Sequence, residues 1–126
     1  MEKQRIHTTQ APNAVGPYSQ AVQAGDFIFC SGQVGLDPET GALVEGDVQT
    51  QVRQVLTNLK HVLEAAGSSL DKAVKATVYL ADINDFKAMN EVYASFFTEP
   101  YPARSAFAVK DLPVGALVEI EVIATK

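Results

Sequence analysis

The sequence predicts an α+β sandwich, in which two amphipathic helices pack on one face of a mixed sheet of four or five strands. Three observations predict this class. Two segments carry apolar residues at helical spacing, five short segments are rich in β-forming residues, and turn-forming residues separate one segment from the next. The resulting element order is β-β-α-β-α-β-β, and an additional short strand fits near Ile6.

The first two predicted strands are Ser19–Gln23 and Phe27–Val34, and they flank a turn at Gly25. Two such runs around a short glycine-containing turn are typical of a β-hairpin. The second strand begins with FIFC, which places apolar side chains on both of its faces. We therefore expect this strand to be covered on both sides.

The two predicted helices begin and end at residues that cap or break helices. The first begins at Asp47, which can cap the N-terminus, and ends at Gly67. Its apolar positions are Val48, Val52, Val55, Leu59, Val62, Leu63 and Ala66. The second helix begins near Asn84 and ends before Pro100 and Pro102. Its apolar stripe, predicted to be core rather than a cofactor site, is Phe86, Met89, Val92, Tyr93, Phe96 and Phe97.

The remaining predicted strands complete the sheet. The strand Val74–Ala81 has an apolar face that consists of Val74, Ala76, Val78 and Leu80. The segments RSAFAV and ALVEIEVIA flank the turn KDLPVG, so they are predicted to form a closing hairpin. On the last strand, Glu119 and Glu121 share a face with apolar neighbours, which makes that sheet face half-apolar. Such a face tends to pack against copies of itself, so we expect a homo-oligomer.

Composition and charge exclude several classes of protein. The 126 residues, 47% of them hydrophobic and 20% charged, fit a single domain over residues 1–126. The net charge of −5 argues against a nucleic-acid partner, because neutralising phosphates requires the opposite sign. The lone cysteine, Cys30, permits no internal disulfide, and no apolar run suits a signal peptide or a membrane span. These features predict a cytoplasmic protein with no membrane partner.

Arg104 and Glu119 are the strongest candidates for chemistry among the residues themselves. If KDLPVG is a hairpin turn, the two residues lie on adjacent antiparallel strands. A planar guanidinium there can hold a ligand carboxylate with two parallel hydrogen bonds. A structural ion pair between the two side chains explains the same residues equally well. His7 and His61, by contrast, are predicted to be solvated or structural.

Five motifs in a fixed order carry a resemblance to a known family. They are AVGPYSQAV, CSGQVGLDPETG, ADINDFKAMNEVYASFF, PARSAF and VEIEVIA, and together they cover nearly the whole chain. In order and spacing they resemble the RidA/YjgF family of reactive-intermediate deaminases. The pairing of PARS with a terminal EIEVIA strand is the most specific feature.

The resemblance implies a fold, an assembly and an activity. Family members have a fold similar to that of chorismate mutase from bacilli, and they form trimers with one ligand site in each cleft between subunits. They hydrolyse 2-imino acids, or the enamine tautomers, to 2-oxo acids and ammonia. Typical substrates are 2-iminobutanoate and 2-iminopropanoate, which pyridoxal-phosphate enzymes such as threonine dehydratase release. The resemblance also implies that no metal or organic cofactor is needed.

The same resemblance implies which residues form the site. The carboxylate-binding arginine of the family falls on Arg104, and the water-directing glutamate falls on Glu119. The other substrate-binding positions fall on Tyr18, Ser31, Gly32, Asn90 and Ala106. At the last of these, many bacterial members have cysteine, and the residue contributes mainly backbone contacts. Glu121 matches a neighbouring acidic position with a structural role.

The sequence therefore predicts a 2-iminobutanoate/2-iminopropanoate deaminase, in which Arg104 holds the substrate carboxylate and Glu119 is the general base towards water. Two other functions fit parts of the sequence. Some relatives are described as translation inhibitors with ribonuclease activity, but this chain has neither a basic stripe nor an evident catalytic histidine. A non-catalytic binder of small carboxylates, or a chaperone-like protein, would use the same clefts.

Overall fold

Two α-helices cover one face of a six-stranded sheet in the computed structural model, which describes residues 1–126. The strands are β1 (Lys3–Ile6), β2 (Ala21–Ala24), β3 (Phe27–Cys30), β4 (Ala73–Leu80), β5 (Ala103–Ala108) and β6 (Val118–Thr125). The helices are α1 (Val48–Ala65) and α2 (Phe86–Phe96). This arrangement confirms the predicted α+β class, and β1 is the additional strand expected near Ile6. No helix has the length and apolar character needed to cross a membrane.

Helix α1 packs against β3 and β6. Asp47 caps its N-terminus as predicted, because the carboxylate accepts a hydrogen bond from the Thr50 N–H at 3.0 Å. After the last turn the chain leaves through Gly67, whose φ of +79° suits glycine. The buried residues of the helix are Val48, Gln51, Val52, Val55, Leu56, Asn58, Leu59, Val62 and Leu63. Each fully buried leucine or valine contributes about 1.5–3 kcal/mol of hydrophobic stabilisation.

Helix α2 begins slightly later than the sequence predicts. The expected start near Asn84 falls in a 3₁₀ turn, Ile83–Asp85, and regular α-helix starts at Phe86. The helix packs against α1. Its buried residues are Met89, Val92 and Tyr93.

Strand β4 contains an irregularity that changes which residues face the core. The pairing register with β6 shifts between Ala73 and Lys75. Val74 lies within this shift, so its side chain is exposed instead of joining the apolar face predicted for it. Beyond the shift, the predicted core positions are buried: Ala76, Val78 and Leu80.

The predicted closing hairpin is wrong. Strand β5 pairs in parallel with β4, whereas β6 pairs antiparallel with both β3 and β4. The sheet order is β1-β2-β3-β6-β4-β5, so β4 lies between the two strands that were expected to be neighbours. Helix α2 connects β4 to β5 as a crossover, which parallel strands require. The linker that includes the 3₁₀ turn Pro113–Gly115 then carries the chain past β4 into β6.

The sheet face opposite the helices, called the open face below, has no cover within one chain. Phe27 and Phe29 project from it and are 44% and 46% exposed, so the expected cover on both sides of β3 is absent from the single chain. Ile123 pairs with Phe29, and Phe107 pairs with Tyr79, so these residues share the open face. The open face therefore carries several apolar side chains, as the half-apolar pattern of the sequence predicts.

Candidate active site

The seven predicted site residues fall into two groups in the structure. The Arg104 group lies between β5 and α2 and consists of Asn90, Arg104 and Ala106. The Glu119 group lies around the loop after β3 and the start of β6, and it consists of Tyr18, Ser31, Gly32 and Glu119. Strand β4 separates the two groups.

Arg104 points to the helix-covered face of the sheet. It is level with Ala76 of β4, whose side chain is fully buried, and parallel neighbours in register share a face. The Nη1 group of Arg104 donates a hydrogen bond to Oδ1 of Asn90 on α2 at 2.7 Å. Ala106, two residues along β5, lies on the same face and packs against the core. The three members of the Arg104 group therefore share one side of the sheet.

A cavity of about 420 Å³ opens beside Arg104. Its lining residues are Asn90, Tyr93, Ala94, Tyr101, Pro102 and Arg104. A guanidinium carries five N–H donors, and Asn90 accepts a hydrogen bond from one of them. The other donors form no hydrogen bond within the chain, so an anion in the cavity can accept them.

Glu119 lies directly against Gly32. A Cβ atom at position 32 would come within 2.9 Å of the Cδ atom of Glu119 and would collide with the carboxylate. The neighbouring bridge brings this loop alongside β6, because the Gln33 N–H donates to the Ile120 carbonyl at 2.9 Å. The absence of a side chain at position 32 therefore leaves the space that the Glu119 carboxylate occupies, and a larger residue there would displace that carboxylate.

Tyr18 and Ser31 are held in different ways. The Ser31 hydroxyl donates to the Ser19 carbonyl at 2.5 Å, and the Ser31 N–H donates to the Gln20 carbonyl at 3.0 Å. Both donors of Ser31 are therefore engaged within the chain. Tyr18 is 51% exposed, and its hydroxyl oxygen accepts a hydrogen bond from the Val15 N–H at 3.4 Å. The Tyr18 hydroxyl hydrogen is left to donate to a ligand.

Two further ionisable side chains share the open face with Glu119. Burial, and to a smaller extent the charge of Glu121, raise the pKa of the Glu119 carboxyl above its ordinary value. The Tyr79 hydroxyl donates a hydrogen bond to Glu121. This hydrogen bond, with burial and the nearby carboxylate charges as smaller causes, raises the pKa of Tyr79 to about 12. Tyr79 therefore keeps its proton at neutral pH and remains a donor to Glu121.

The predicted proximity of Arg104 and Glu119 within one chain is wrong. Arg104 is in register with Ala76 on the helix-covered face, whereas Glu119 is in register with Tyr79 on the open face. The error follows from the closing hairpin, which placed both residues on neighbouring strands. The alternative of a structural ion pair between the two side chains of one chain is wrong for the same reason.

The chain matches a known family over most of its length. The model of that family, described as endoribonuclease L-PSP, matches residues 8–126. This chain belongs to the RidA/YjgF family. The resemblance carried by the five sequence motifs is thereby confirmed.

Members of the RidA/YjgF family resemble this chain from end to end. A RutC family protein of Pyrococcus horikoshii is 56% identical over 124 residues, which cover 98% of both proteins. The 2-iminobutanoate/2-iminopropanoate deaminase of Mus musculus is 53% identical over 121 residues, which cover 96% of this chain and 90% of the mouse protein. The crystal structure of E. coli TdcF with bound serine has a TM-score of 0.92 and 43% identity, and the match covers 98% of each chain.

Sequence reasoning on this RidA/YjgF chain missed two sets of residues beside the predicted site. Phe86 and Tyr93 were expected only as core, yet both place their rings against the Arg104 guanidinium. Their separation of seven residues puts them on one face of α2, but no local pattern indicates what that face meets. The hydrogen bond from Tyr79 to Glu121 was also missed, because it depends on the pairing of β4 with β6.

The other reactive residue types lie outside the candidate site. Cys30 is buried, and burial raises the pKa of its thiol to about 12, so the reactive thiolate is disfavoured. The Nδ1 atom of His61 lies 3.0 Å from the Gln10 carbonyl, a structural contact as expected. No group of three or more His, Cys, Asp or Glu side chains comes together in a way that could hold a metal ion.

Proposed function

We propose that this chain is a deaminase that hydrolyses 2-iminobutanoate and 2-iminopropanoate, or their enamine tautomers, to 2-oxo acids and ammonia. The observation that carries the proposal is the Arg104 guanidinium, which lines a cavity and hydrogen-bonds within the chain only to the neutral amide oxygen of Asn90. Such a cation is suited to the carboxylate of a small acid. The name of the mouse relative and the serine bound to E. coli TdcF support a substrate of this class.

Arg104 binds and orients the substrate carboxylate in this proposal. Pro102 precedes it by two residues and restricts the backbone at the start of β5, which helps to pre-organise the guanidinium. Each charge-assisted contact contributes about 1.5–3 kcal/mol. Asn90 holds the guanidinium from α2, and the backbone near Ala106 lines the site. With the carboxylate fixed, the imine carbon C2 lies at a defined distance from Arg104.

Glu119 is the general base towards water in the proposed mechanism. It accepts a proton from a water molecule whose oxygen forms a bond to C2 of the protonated imine, which gives a carbinolamine. Glu119 then returns that proton to the amino nitrogen, the C2–N bond breaks, and ammonia leaves. The C2 hydroxyl releases its proton to solvent and becomes the carbonyl of the 2-oxo acid. A raised pKa supports this role, because the group both accepts and donates a proton in one cycle.

The Arg104 group and the Glu119 group meet between two protomers in this proposal. Strand β4 keeps the two groups apart in one chain, so a site with both needs the Glu119 group of a neighbouring copy. The exposed rings of Phe27, Phe29 and Phe107 offer an apolar surface for such packing. The proposed assembly is a homotrimer with one site in each cleft, as the family resemblance implies. Tyr18 and the backbone at Ser31 and Gly32 then complete the substrate pocket.

The proposal also covers the compartment, the cofactor requirement and the partners of the reaction. Residues 1–126 act as a single domain in the cytoplasm, without a metal or an organic cofactor. A protonated imine is already electrophilic, so positioning and one base are sufficient for its hydrolysis. The partners are small 2-imino and 2-oxo acids and other copies of the chain, rather than membranes or nucleic acids.

A ribonuclease is the second candidate, because the family model carries that description. The net charge of −5 weighs against it, since phosphate binding requires a positive surface. Salt-sensitive binding and cleavage of labelled RNA by the purified protein, without acceleration of imine hydrolysis, would favour the ribonuclease. Binding of small carboxylates without hydrolysis of either substrate would favour a binding or chaperone-like protein.

A coupled assay tests the deaminase. Threonine dehydratase generates 2-iminobutanoate, and the release of 2-oxobutanoate is followed with the wild type, Arg104→Ala and the control Arg53→Ala. Arg53 is exposed on α1, so its replacement removes the same charge away from both groups. We expect acceleration by the wild type and the control, and a loss of about a hundredfold or more in Arg104→Ala. No acceleration by folded, oligomeric wild type would refute the deaminase.

A further inference from the structure

Three side chains on one face of α2 hold the Arg104 guanidinium. Phe86, Asn90 and Tyr93 are separated by four and three residues, so they lie along the same side of the helix. The Cζ atom of Arg104 is 5.5 Å from the ring centre of Phe86 and 4.8 Å from the ring centre of Tyr93. Both distances fall within the range of about 6 Å over which a cation is attracted to an aromatic face.

The Tyr93 ring is fixed by its own packing. It packs on Phe97 with ring centres 4.5 Å apart, and its side chain is only 5% exposed. Its hydroxyl is buried and has no hydrogen-bond partner, which by itself disfavours a tyrosine in a core. The part of Tyr93 that makes a contact with Arg104 is therefore the ring.

The contacts with α2 leave the charge of Arg104 uncancelled. The two rings supply no hydrogen-bond acceptor, and the Asn90 amide oxygen is neutral and accepts only one N–H. A carboxylate partner in the same place would occupy the donors that a ligand needs. Aromatic rings attract the cation without competing for those donors.

We propose that Phe86 and Tyr93 form an aromatic clamp, a pair of positioning residues that holds the Arg104 guanidinium in the orientation in which it binds the substrate carboxylate. This inference rests on the proposed function and adds two residues to its site. The clamp restricts a long side chain before the ligand arrives, so less conformational entropy is lost when the carboxylate binds. It therefore acts on affinity through its hold on the Arg104 guanidinium.

The test compares two replacements of the same ring. Binding of 2-oxobutanoate, a stable acid with the same carboxylate, is measured by calorimetry for the wild type, Tyr93→Leu and Tyr93→Phe. Tyr93→Leu removes the aromatic face, so we expect binding to weaken by about tenfold. Tyr93→Phe keeps the face and removes only the unpartnered hydroxyl, so we expect binding within about twofold of the wild type. In the coupled assay, Tyr93→Leu should raise KM more than it lowers kcat.

Two further measurements separate the clamp from simple core packing. Val92→Ala removes a buried side chain of the same helix without removing an aromatic ring, so it should lower the melting temperature and leave 2-oxobutanoate binding unchanged. The chain has three arginines, so the side-chain nitrogen signals can be resolved by NMR. The shielding of the Arg104 signal by the two rings should be reduced in Tyr93→Leu, where only Phe86 remains, and kept in Tyr93→Phe.

Several outcomes would overturn the clamp. These are unchanged 2-oxobutanoate binding in folded Tyr93→Leu, an equal loss in Tyr93→Phe and Tyr93→Leu, and a wild type that binds no small carboxylate. A wild type that binds 2-oxobutanoate but does not accelerate imine hydrolysis would refute the deaminase alone. In that case the binding series still supports or overturns the clamp.

Discussion

The Arg104 group and the Glu119 group differ in charge and in environment: the cation has only neutral neighbours, whereas the carboxylate is partly buried beside a charge of the same sign. Arg104 is a cation held by two aromatic rings and an amide, none of which cancels its charge. Glu119 is a partly buried carboxylate beside Glu121, and burial together with this neighbour raises its pKa. The first arrangement keeps a charge ready for a ligand of opposite sign, whereas the second makes a proton bind more readily. In the proposed mechanism, the Arg104 group is therefore suited to binding the carboxylate and the Glu119 group to proton transfer.

The strongest test of this comparison separates the two groups onto different chains. Arg104→Ala and Glu119→Gln are each expected to be inactive as homo-oligomers. When equal amounts are refolded together, about one site in four should combine an intact Arg104 with an intact Glu119 from two protomers. The mixture should therefore recover about a quarter of the wild-type rate in the coupled assay.

Each variant taken alone through the same refolding procedure is the control, and it should remain inactive. Mass spectrometry of the mixture establishes that hybrid oligomers have formed. If hybrids form and no activity returns, the two groups do not complement each other between protomers, and the proposed interface site is wrong.

Gly32→Ala tests the Glu119 group alone, because it changes the position of the Glu119 carboxylate and leaves Arg104 in place. The added methyl group would displace the Glu119 carboxylate, so kcat should fall by about a hundredfold, as expected for a lost general base. The same change in a Glu119→Gln background should lower kcat little further, because both replacements act on one carboxylate. Initial rates of the four proteins measure this coupling. Independent, multiplicative losses would contradict it.

Removing the charge of Glu121 is expected to have a smaller effect on activity than the replacements at Gly32 and Glu119. Glu121→Gln removes a charge that raises the pKa of Glu119, so the acidic limb of the pH–rate profile should move to lower pH. The rate at neutral pH should change by less than about threefold. Tyr79→Phe removes the hydrogen bond to Glu121 but keeps the charge, and it serves as the matched comparison. An acidic limb that stays in place in Glu121→Gln would mean that burial alone sets the pKa.

The smallest expected effect concerns stability. Because the pKa of Glu119 is raised on folding, its stabilising contribution is fully present below the pKa of the unfolded chain and is lost as pH rises through the folded pKa. Glu119→Gln should therefore flatten the pH dependence of the free energy of unfolding in that window. Partial exposure and solvent screening keep the change below about 1 kcal/mol. Urea unfolding of the wild type and of Glu119→Gln at several pH values measures it, and an identical pH dependence in the two proteins would contradict the prediction.

Local sequence patterns predicted the helices and strands correctly, but they did not predict which strands pair with each other in the sheet. The cap at Asp47 and the stop at Gly67 bounded α1 correctly, because capping depends on a few adjacent residues. The prediction of a hairpin between β5 and β6 was wrong. Alternation of apolar residues indicates a strand, but it does not indicate which strand pairs with it. Val74 was misplaced since a shift in pairing register is invisible in the strand's own pattern.

The sequence by itself determined the α+β class, the succession of helices and strands, the half-apolar sheet face and, through its motifs, the family. Periodicity, caps and motifs depend on residues that are close together in the sequence, so they can be recognised without the structure. Only the tertiary structure decided that β4 separates Arg104 from Glu119, that α2 presents Phe86 and Tyr93 to the guanidinium, and that Glu119 lies against residue 32. Those contacts join segments far apart in the chain, and their local patterns are compatible with more than one pairing.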